Sequence, residues 1–206
     1  MFARSTTVQG HPENIDAGID NIRDQVMPTL RDMEGFVGIS LLADRQSGRC
    51  IATTAWETEE AMRASEPKLR QLREQAAEVL GARPQVDEWE IAVLHRDHTS
   101  QPGACVRATW MRFDADQADR AIQTYKMTAL PAMEEFDGFC SASLLMDRES
   151  GIAVSSVTYD SPEAMERART QADALRTASA EEAGVDILEV VEFELALAHL
   201  RVPEMA

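Results

Sequence analysis

The chain has 206 residues and carries 36 acidic against 20 basic side chains, a formal charge of −16. Phosphate backbones and anionic lipid surfaces repel such a chain, and no Lys/Arg cluster offsets the repulsion, so nucleic acid and membrane are excluded as expected partners. A hydrophobic fraction of 44% and a charged fraction of 27% suit a soluble globular protein; no apolar signal segment stands at Met1–Thr7 and no later apolar run reaches ~18 residues, which points to the cytoplasm.

Residues 3–8 are short and β-permissive. A helix is expected over 12–33, because Ile15, Ile19, Ile22, Val26, Leu30 and Met33 recur at spacings of three and four. Pro28 inside that pattern predicts a kink or break, and Gly35 a left-handed cap. Strands follow over 36–43 and 49–56, joined by a hairpin at Arg45-Gln46-Ser47-Gly48. Thr58 is the expected N-cap of a second helix carrying Met62, Leu69, Leu72, Ala76, Val79 and Leu80 inward, with Pro67 a complication near its middle. Gly81-Ala82-Arg83-Pro84 stops it, and a last strand covers 86–94.

The pattern then starts again. A strand over 106–113 leads to Asp114, an expected N-cap with Gln117 at capping-box spacing. The next helix buries Ala118, Ile122, Tyr125, Leu130 and Met133. Strands cover 139–146 and 152–159, Ser161-Pro162 opens another helix that ends near Gly184, and the final strand lies in 187–199. The recurrence is literal: residues 28–62 align with 131–165 without a gap at an offset of 131 − 28 = 103, and 13 of these 35 positions are identical. A period of that length is domain-sized rather than solenoid-sized.

The expected organisation is therefore one domain over 1–96, a polar linker over 97–104, a second domain over 105–201 and a tail over 202–206. Each domain reads βαββαβ, the ferredoxin-like order, an α+β fold with helices on one sheet face. The other face needs cover, and a second copy of the sheet can supply it. The two halves are expected to form an internal pseudo-dimer, with a monomer favoured over a homodimer in solution.

The Pro-(x)6-Gly-Phe element ending at Gly35-Phe36, followed by Thr54-Ala55-Trp56-Glu57-Thr58-Glu59-Glu60-Ala61-Met62, resembles the antibiotic biosynthesis monooxygenase (ABM) domains of the dimeric α+β barrel superfamily. The resemblance covers both halves. It implies two tandem ferredoxin-like domains packed sheet to sheet as an intramolecular barrel, and a monooxygenase that works on a small aromatic or quinone-type substrate without cofactor. A non-catalytic small-molecule binder or structural partner protein with the same fold is the alternative. Heme-degrading members carry an Asn, a Trp and a His whose matching positions here are Thr7, Ser65 and Glu74, and in the second half Trp110, Ala168 and Thr177; no heme is expected.

The residues themselves offer few chemical groups. Trp56 and Tyr159 end matching strands and read either as pocket walls for an aromatic ligand or as core aromatics under the second helix. Trp89 and Phe193 match at an offset of 104 and read as core. Arg4 and Arg107 on the first strands face Glu88/Glu90 and Glu192/Glu194 on the last, either as cross-strand ion pairs or as a polar ring lining the barrel. His95 and His199 are candidate bases at a pocket mouth or solvent-exposed strand-end residues. Thr7 against Trp110 is the asymmetry expected to leave the first half the roomier pocket. No histidines share metal-ligand spacing, so no metal is expected. Cys50, Cys105 and Cys140 lack CxxC spacing and read as free thiols.

Overall fold

The computed structural model of the protein describes residues 1–200; the expected tail, 202–206, and the last residue of the expected second domain lie outside the described residues. The fold is α+β, a βαββαβ order run twice, with hydrogen-bonded strand order β1-β3-β2-β8-β5-β7-β6-β4, a closed barrel. The described residues divide into two compact units, one comprising Met1–Trp89 with the last strand from Glu194 onward and one comprising Glu90–Phe193.

Unit 1 begins with β1 (Phe2–Gln9), then α1 (Ile15–Asn21), a π-helical turn (Ile22–Val26) and α2 (Met27–Arg31). β2 (Phe36–Asp44), β3 (Arg49–Trp56), α3 (Glu59–Ala64) and α4 (Glu66–Leu80) follow. β3 is central and antiparallel to both neighbours, and the far end of β8 (Asp186–Leu200) pairs with β2 from Gly38↔Leu200 to Ala43↔Glu194. Ile15, Leu30, Ile39, Leu41, Trp56 and Met62, all under 2% exposed, form the heart of its core.

Unit 2 repeats the plan with β5 (Cys105–Arg112), α5 (Ala118–Thr124), a π-helical turn (Tyr125–Ala129), α6 (Leu130–Glu134), β6 (Phe139–Asp147), β7 (Ile152–Tyr159), α7 (Pro162–Arg167) and α8 (Arg169–Ala183). Its edge partner for β6 is the later part of β4 (Gln85–Arg96), from Glu90↔Met146 to Arg96↔Ser141. β4 and β8 are thus longer than the other strands, and each contributes its two ends to different units.

The repeated sequence elements have a local cause. Gly35 and Gly138 both sit at φ +73, a conformation that L side chains rarely adopt, and a Cβ on either would lie 2.6 Å from the Cβ of Ala61 or Ala164. The Gly-Phe and Glu-Ala-Met motifs are therefore two sides of one close contact, made once in each unit. Thr58 Oγ1 accepts from Ala61 N at 3.1 Å and Ser161 Oγ from Ala164 N at 3.2 Å, the expected N-caps.

The break expected at Pro28 is real, and both units handle it alike. A π-helical turn stands before Pro28 and before Pro131, which puts each proline in the first turn of a new helical segment, where its missing N–H costs least. The second helix of each unit is also interrupted, at Ser65 and at Ala168. Pro67 follows the first break but Thr170 the second, so the proline fits the break rather than making it. Asp114 departs from expectation: its side chain makes no capping bond, and the Gln117 N–H donates to its backbone carbonyl at 2.8 Å in a 3-10 turn.

Candidate functional site

Each unit holds a cavity between its helices and its sheet, of about 70 Å³ in unit 1 and about 80 Å³ in unit 2. The two are built from matching positions. Arg4, Thr6 and Val8 on β1 line the first, and Arg107, Thr109 and Met111 on β5 the second. The π-helical turns supply Ile22 and Val26 to one, Tyr125 and Ala129 to the other. The long helices add Leu69, Arg73 and Ala76 in unit 1 and Ala172, Arg176 and Ser179 in unit 2.

A buried arginine stands at each cavity: Arg4 is 4% exposed and Arg107 3%. Burial of a charge is tolerable only with paired, hydrogen-bonded partners. Arg4 satisfies this fully. Its Nε and Nη2 donate to Glu88 Oε1 at 3.1 and 2.6 Å, and its Nη1 donates to Ser65 Oγ at 3.3 Å and lies 3.0 Å from Glu66 Oε2. Arg73 holds the other oxygen of Glu66 at 2.5 Å. Burial works to raise the Glu66 carboxyl, but the hydrogen bond and charge of Arg73, with Arg4 beside it, hold it below the ordinary carboxylate range.

Unit 2 keeps half of this arrangement. Arg107 donates through Nε and Nη2 to Glu192 Oε1 at 3.0 and 2.8 Å, and Nη2 reaches the Met165 carbonyl at 3.3 Å. The positions of Ser65 and Glu66 are taken by Ala168 and Arg169, and Arg107 Nη1 is left buried with no hydrogen-bond partner. Arg169 turns to Glu192 and Glu166, at 3.0 and 2.6 Å. Burial pushes the Glu192 carboxyl up, yet its bonds to Arg107 and Arg169 win and leave it below the ordinary range. The cross-strand pairs expected of Arg4 and Arg107 are thus present with Glu88 and Glu192, whereas Glu90 and Glu194 pair with hairpin arginines, Arg148 and Arg45.

Other polar groups also differ in matched sets. Tyr125 Oη lies 3.1 Å from Ser155 Oγ and donates to the Ser143 carbonyl at 3.2 Å, whereas unit 1 has Ile22 and Ala52 at the tyrosine and serine positions. Burial raises the Tyr125 phenol well above its ordinary value, so it stays neutral in the cavity wall. Trp89 Nε1 donates to Ser5 Oγ at 2.8 Å, whereas unit 2 has Phe193 and Ala108.

Of the residues that the sequence singles out, Tyr159 lines the unit 2 cavity, beneath the Arg107 guanidinium, whose carbon is 5.8 Å from its ring centre. Trp56 is fully buried beside the unit 1 cavity rather than on its lining; its Nε1 donates to Thr54 Oγ1 at 3.0 Å and its ring meets Phe36 edge-on at 5.6 Å. Thr7 and Trp110 do not line the cavities. They stand between Thr6 and Val8, and between Thr109 and Met111, so strand alternation turns them to the opposite sheet face. Trp110 there meets Phe193 edge-on at 6.4 Å. The indole takes no room from the unit 2 cavity, which is slightly the larger, and the expectation of a roomier first pocket is corrected accordingly. His95 lies away from the lining, 2.7 Å from Glu134 Oε1 and stacked on Phe139 at 6.2 Å. Arg107 was marked by its strand alternation, whereas Ser179 carried no local signal; position 179 reads as one more serine on a helix.

The three cysteines are buried free thiols, and burial pushes Cys105 and Cys140 up to about 11, too high for thiolate chemistry at neutral pH. His98, Cys140 and Asp160 bring ligand-type atoms within 4.8 Å of one another, a grouping that the sequence spacing does not reveal. Both His98 nitrogens are engaged, Nδ1 with Asp97 at 2.8 Å and Nε2 with Asp160 at 2.7 Å. Those bonds raise the imidazole above its ordinary value and clamp it between two carboxylates. No helix among the described residues is long and apolar enough to cross a membrane.

The family model for antibiotic biosynthesis monooxygenases matches residues 1–67. Uncharacterized protein Rv2557 of Mycobacterium tuberculosis is 60% identical over the whole chain and 92% of its own length, and Rv2558 of the same organism is 52% identical over the whole chain and 87% of its length. Among solved structures, a candidate monooxygenase from Lactobacillus acidophilus superposes with TM-score 0.72 at 11% identity over 97% of this chain and 96% of that one, and an anthrone oxidase-like protein with TM-score 0.69 at 14% identity over 100% and 94%. At such identities the solved structures speak for the fold, while the sequence match and the two close relatives speak for descent. The chain belongs to one family with its mycobacterial relatives, and it is a protein of tandem antibiotic biosynthesis monooxygenase-like domains with the dimeric α+β barrel fold.

Proposed function

We propose that the protein is a cofactor-independent monooxygenase that oxidises a small aromatic or quinone-type substrate in its helix–sheet cavities. The observation that carries this reading is the cavity itself, apolar along its length, with a buried arginine and a few hydroxyls at fixed points. In such chemistry the ionised substrate supplies the electrons. A ring C–H of a hydroquinone becomes C–OH as the ring is oxidised to the quinone; one oxygen atom of O2 enters the product, and the other leaves as water with two hydrogens of the substrate. The protein's part is to hold the anion, exclude water and orient the ring. We place the work in the cytoplasm, where buried free thiols persist, in a monomer whose inherited modules are 1–96 and 105–201.

A non-catalytic binder is favoured by one observation: among the described residues no histidine or carboxylate lines either cavity to serve as a general base. Oxygen uptake decides between the two. One-ring hydroquinones, supplied with the protein and a metal chelator, should consume O2 faster than their own autoxidation. Uptake no faster than autoxidation across the panel would leave the binder.

A further inference from the structure

The unit 2 cavity holds two features that its own protein atoms do not complete. Arg107 Nη1 is buried and unpartnered, and so is Ser179 Oγ; both residues line the same cavity. Buried polar atoms without partners are rare, and each one asks for a water, an ion or a ligand. In unit 1 the matching atoms raise no such question. Arg4 Nη1 is bonded to Ser65 and Glu66, and position 76 is alanine. The charge changes in step: the acid that faces Arg4 becomes Arg169, while Arg176 keeps the place of Arg73.

We propose that the unit 2 cavity binds a one-ring aromatic molecule through its oxyanion, with Arg107 Nη1 and Ser179 Oγ as the donors, and that Ser65 and Glu66 close the equivalent site in unit 1. The class of ligand follows from the lining. An unpartnered guanidinium N–H favours an anionic oxygen over a neutral one, because the anion adds charge–charge attraction to the hydrogen bond in a buried, low-dielectric site. The remainder of the wall is aromatic and aliphatic, including Phe113, Phe136 and Tyr159, and excludes a polar body. Size limits the ligand to one ring: the cavity of about 80 Å³ is smaller than the ~150 Å³ in which benzene fits. Met111, Met133 and Met146 in its wall are unbranched and can yield the difference. The choice of an aryl ligand rests on the oxygenase reading; the requirement for an oxyanion rests on the orphaned atoms alone.

The test is equilibrium binding of 4-nitrophenol to the full chain without oxygen, followed by calorimetry and by the visible band of the phenolate. One molecule should bind per chain, and affinity should rise with pH as the phenol ionises. Benzoate should compete and nitrobenzene should not. The double variant Ala168→Ser/Arg169→Glu gives Arg107 Nη1 the partners that Arg4 has and should weaken binding about tenfold or more. Ser179→Ala should weaken it several-fold. Circular dichroism melts show whether each variant folds; Ser179→Ala removes one hydroxyl from a half-buried position and keeps the test available if the double variant does not. Equal competition by nitrobenzene, or unchanged binding in both folded variants, overturns the anion site. Oxygen uptake that ignores these variants would leave the oxygenase standing without it, and anion binding without oxygen uptake would do the reverse.

Discussion

The two units share a backbone plan and the position of a cavity, yet their buried polar atoms are arranged as alternatives. Unit 1 has Trp89 with Ser5, and unit 2 has Phe193 with Ala108. Unit 2 has Tyr125 with Ser155, and unit 1 has Ile22 with Ala52. In each case donor and acceptor are present together or absent together. The physical reason is the cost of a buried polar group without a partner, which makes either half of such a pair worse than both or neither. Against that pattern, the exceptions among the described residues are Arg96 Nη2, Arg107 Nη1 and Ser179 Oγ, all in unit 2, and the last two line one cavity, which is why they carry the inference above.

The comparison can be broken at its strongest point by a double-mutant cycle. Trp89→Phe leaves Ser5 Oγ buried without its partner and should cost about 1–3 kcal/mol in urea unfolding. Adding Ser5→Ala reproduces the Phe193/Ala108 pair of unit 2 and should recover much of that loss, a coupling of about 0.5–3 kcal/mol. Additive losses would mean that the pairs are independent and their matched occurrence a coincidence.

A smaller effect sharpens the contrast from the unit 2 side. Hydrogen bonds to Asp97, then to Asp160, raise His98 above its ordinary value, so its contribution to stability is complete below the unfolded value near 6.5 and is lost as pH rises through the elevated folded one. The site is 40% exposed and solvent-screened, so the melting temperature should shift only slightly over that window, and His98→Gln should remove the dependence. An NMR titration that puts the imidazole at or below 6.5 would contradict the clamp.

The smallest expected effect is none at all, and it applies to both units equally. By the family resemblance, Thr7, Ser65 and Glu74, and Trp110, Ala168 and Thr177, are the residues expected at the Asn, Trp and His positions of heme-degrading members. Ser65 in addition donates to the Met62 carbonyl at 2.6 Å and accepts from Arg4. Hemin titration should give no saturable Soret shift. A stoichiometric spectrum of histidine ligation in either half would end this part of the symmetry.

Much of this molecule is legible before any coordinates. The 103-residue repeat, the strand and helix order and the Thr58 and Ser161 caps follow from local chemistry and periodicity, and alternation sets Arg4 and Arg107 against the acidic face of the last strands, though which glutamate each takes needed the structure. What alternation could not decide was which face of β1 and β5 meets the cavity. Both faces of β1 are largely covered, with Ala3, Arg4, Ser5 and Val8 all buried, so the usual contrast of apolar and polar sides is absent and Thr7 is as plausible as Thr6.

The sequence by itself determined the duplication, the ferredoxin-like order and the family, because these rest on residues near one another in the chain or at a constant offset. Tertiary structure decided the length and sharing of β4 and β8, the cavity lining and the fate of each buried polar atom. Whether Arg107 Nη1 has a partner depends on residues 165, 168, 169 and 192, brought to it by three other elements. Satisfaction of a hydrogen bond is a matter of a few tenths of an ångström and tens of degrees, and such quantities exist only once the chain has folded.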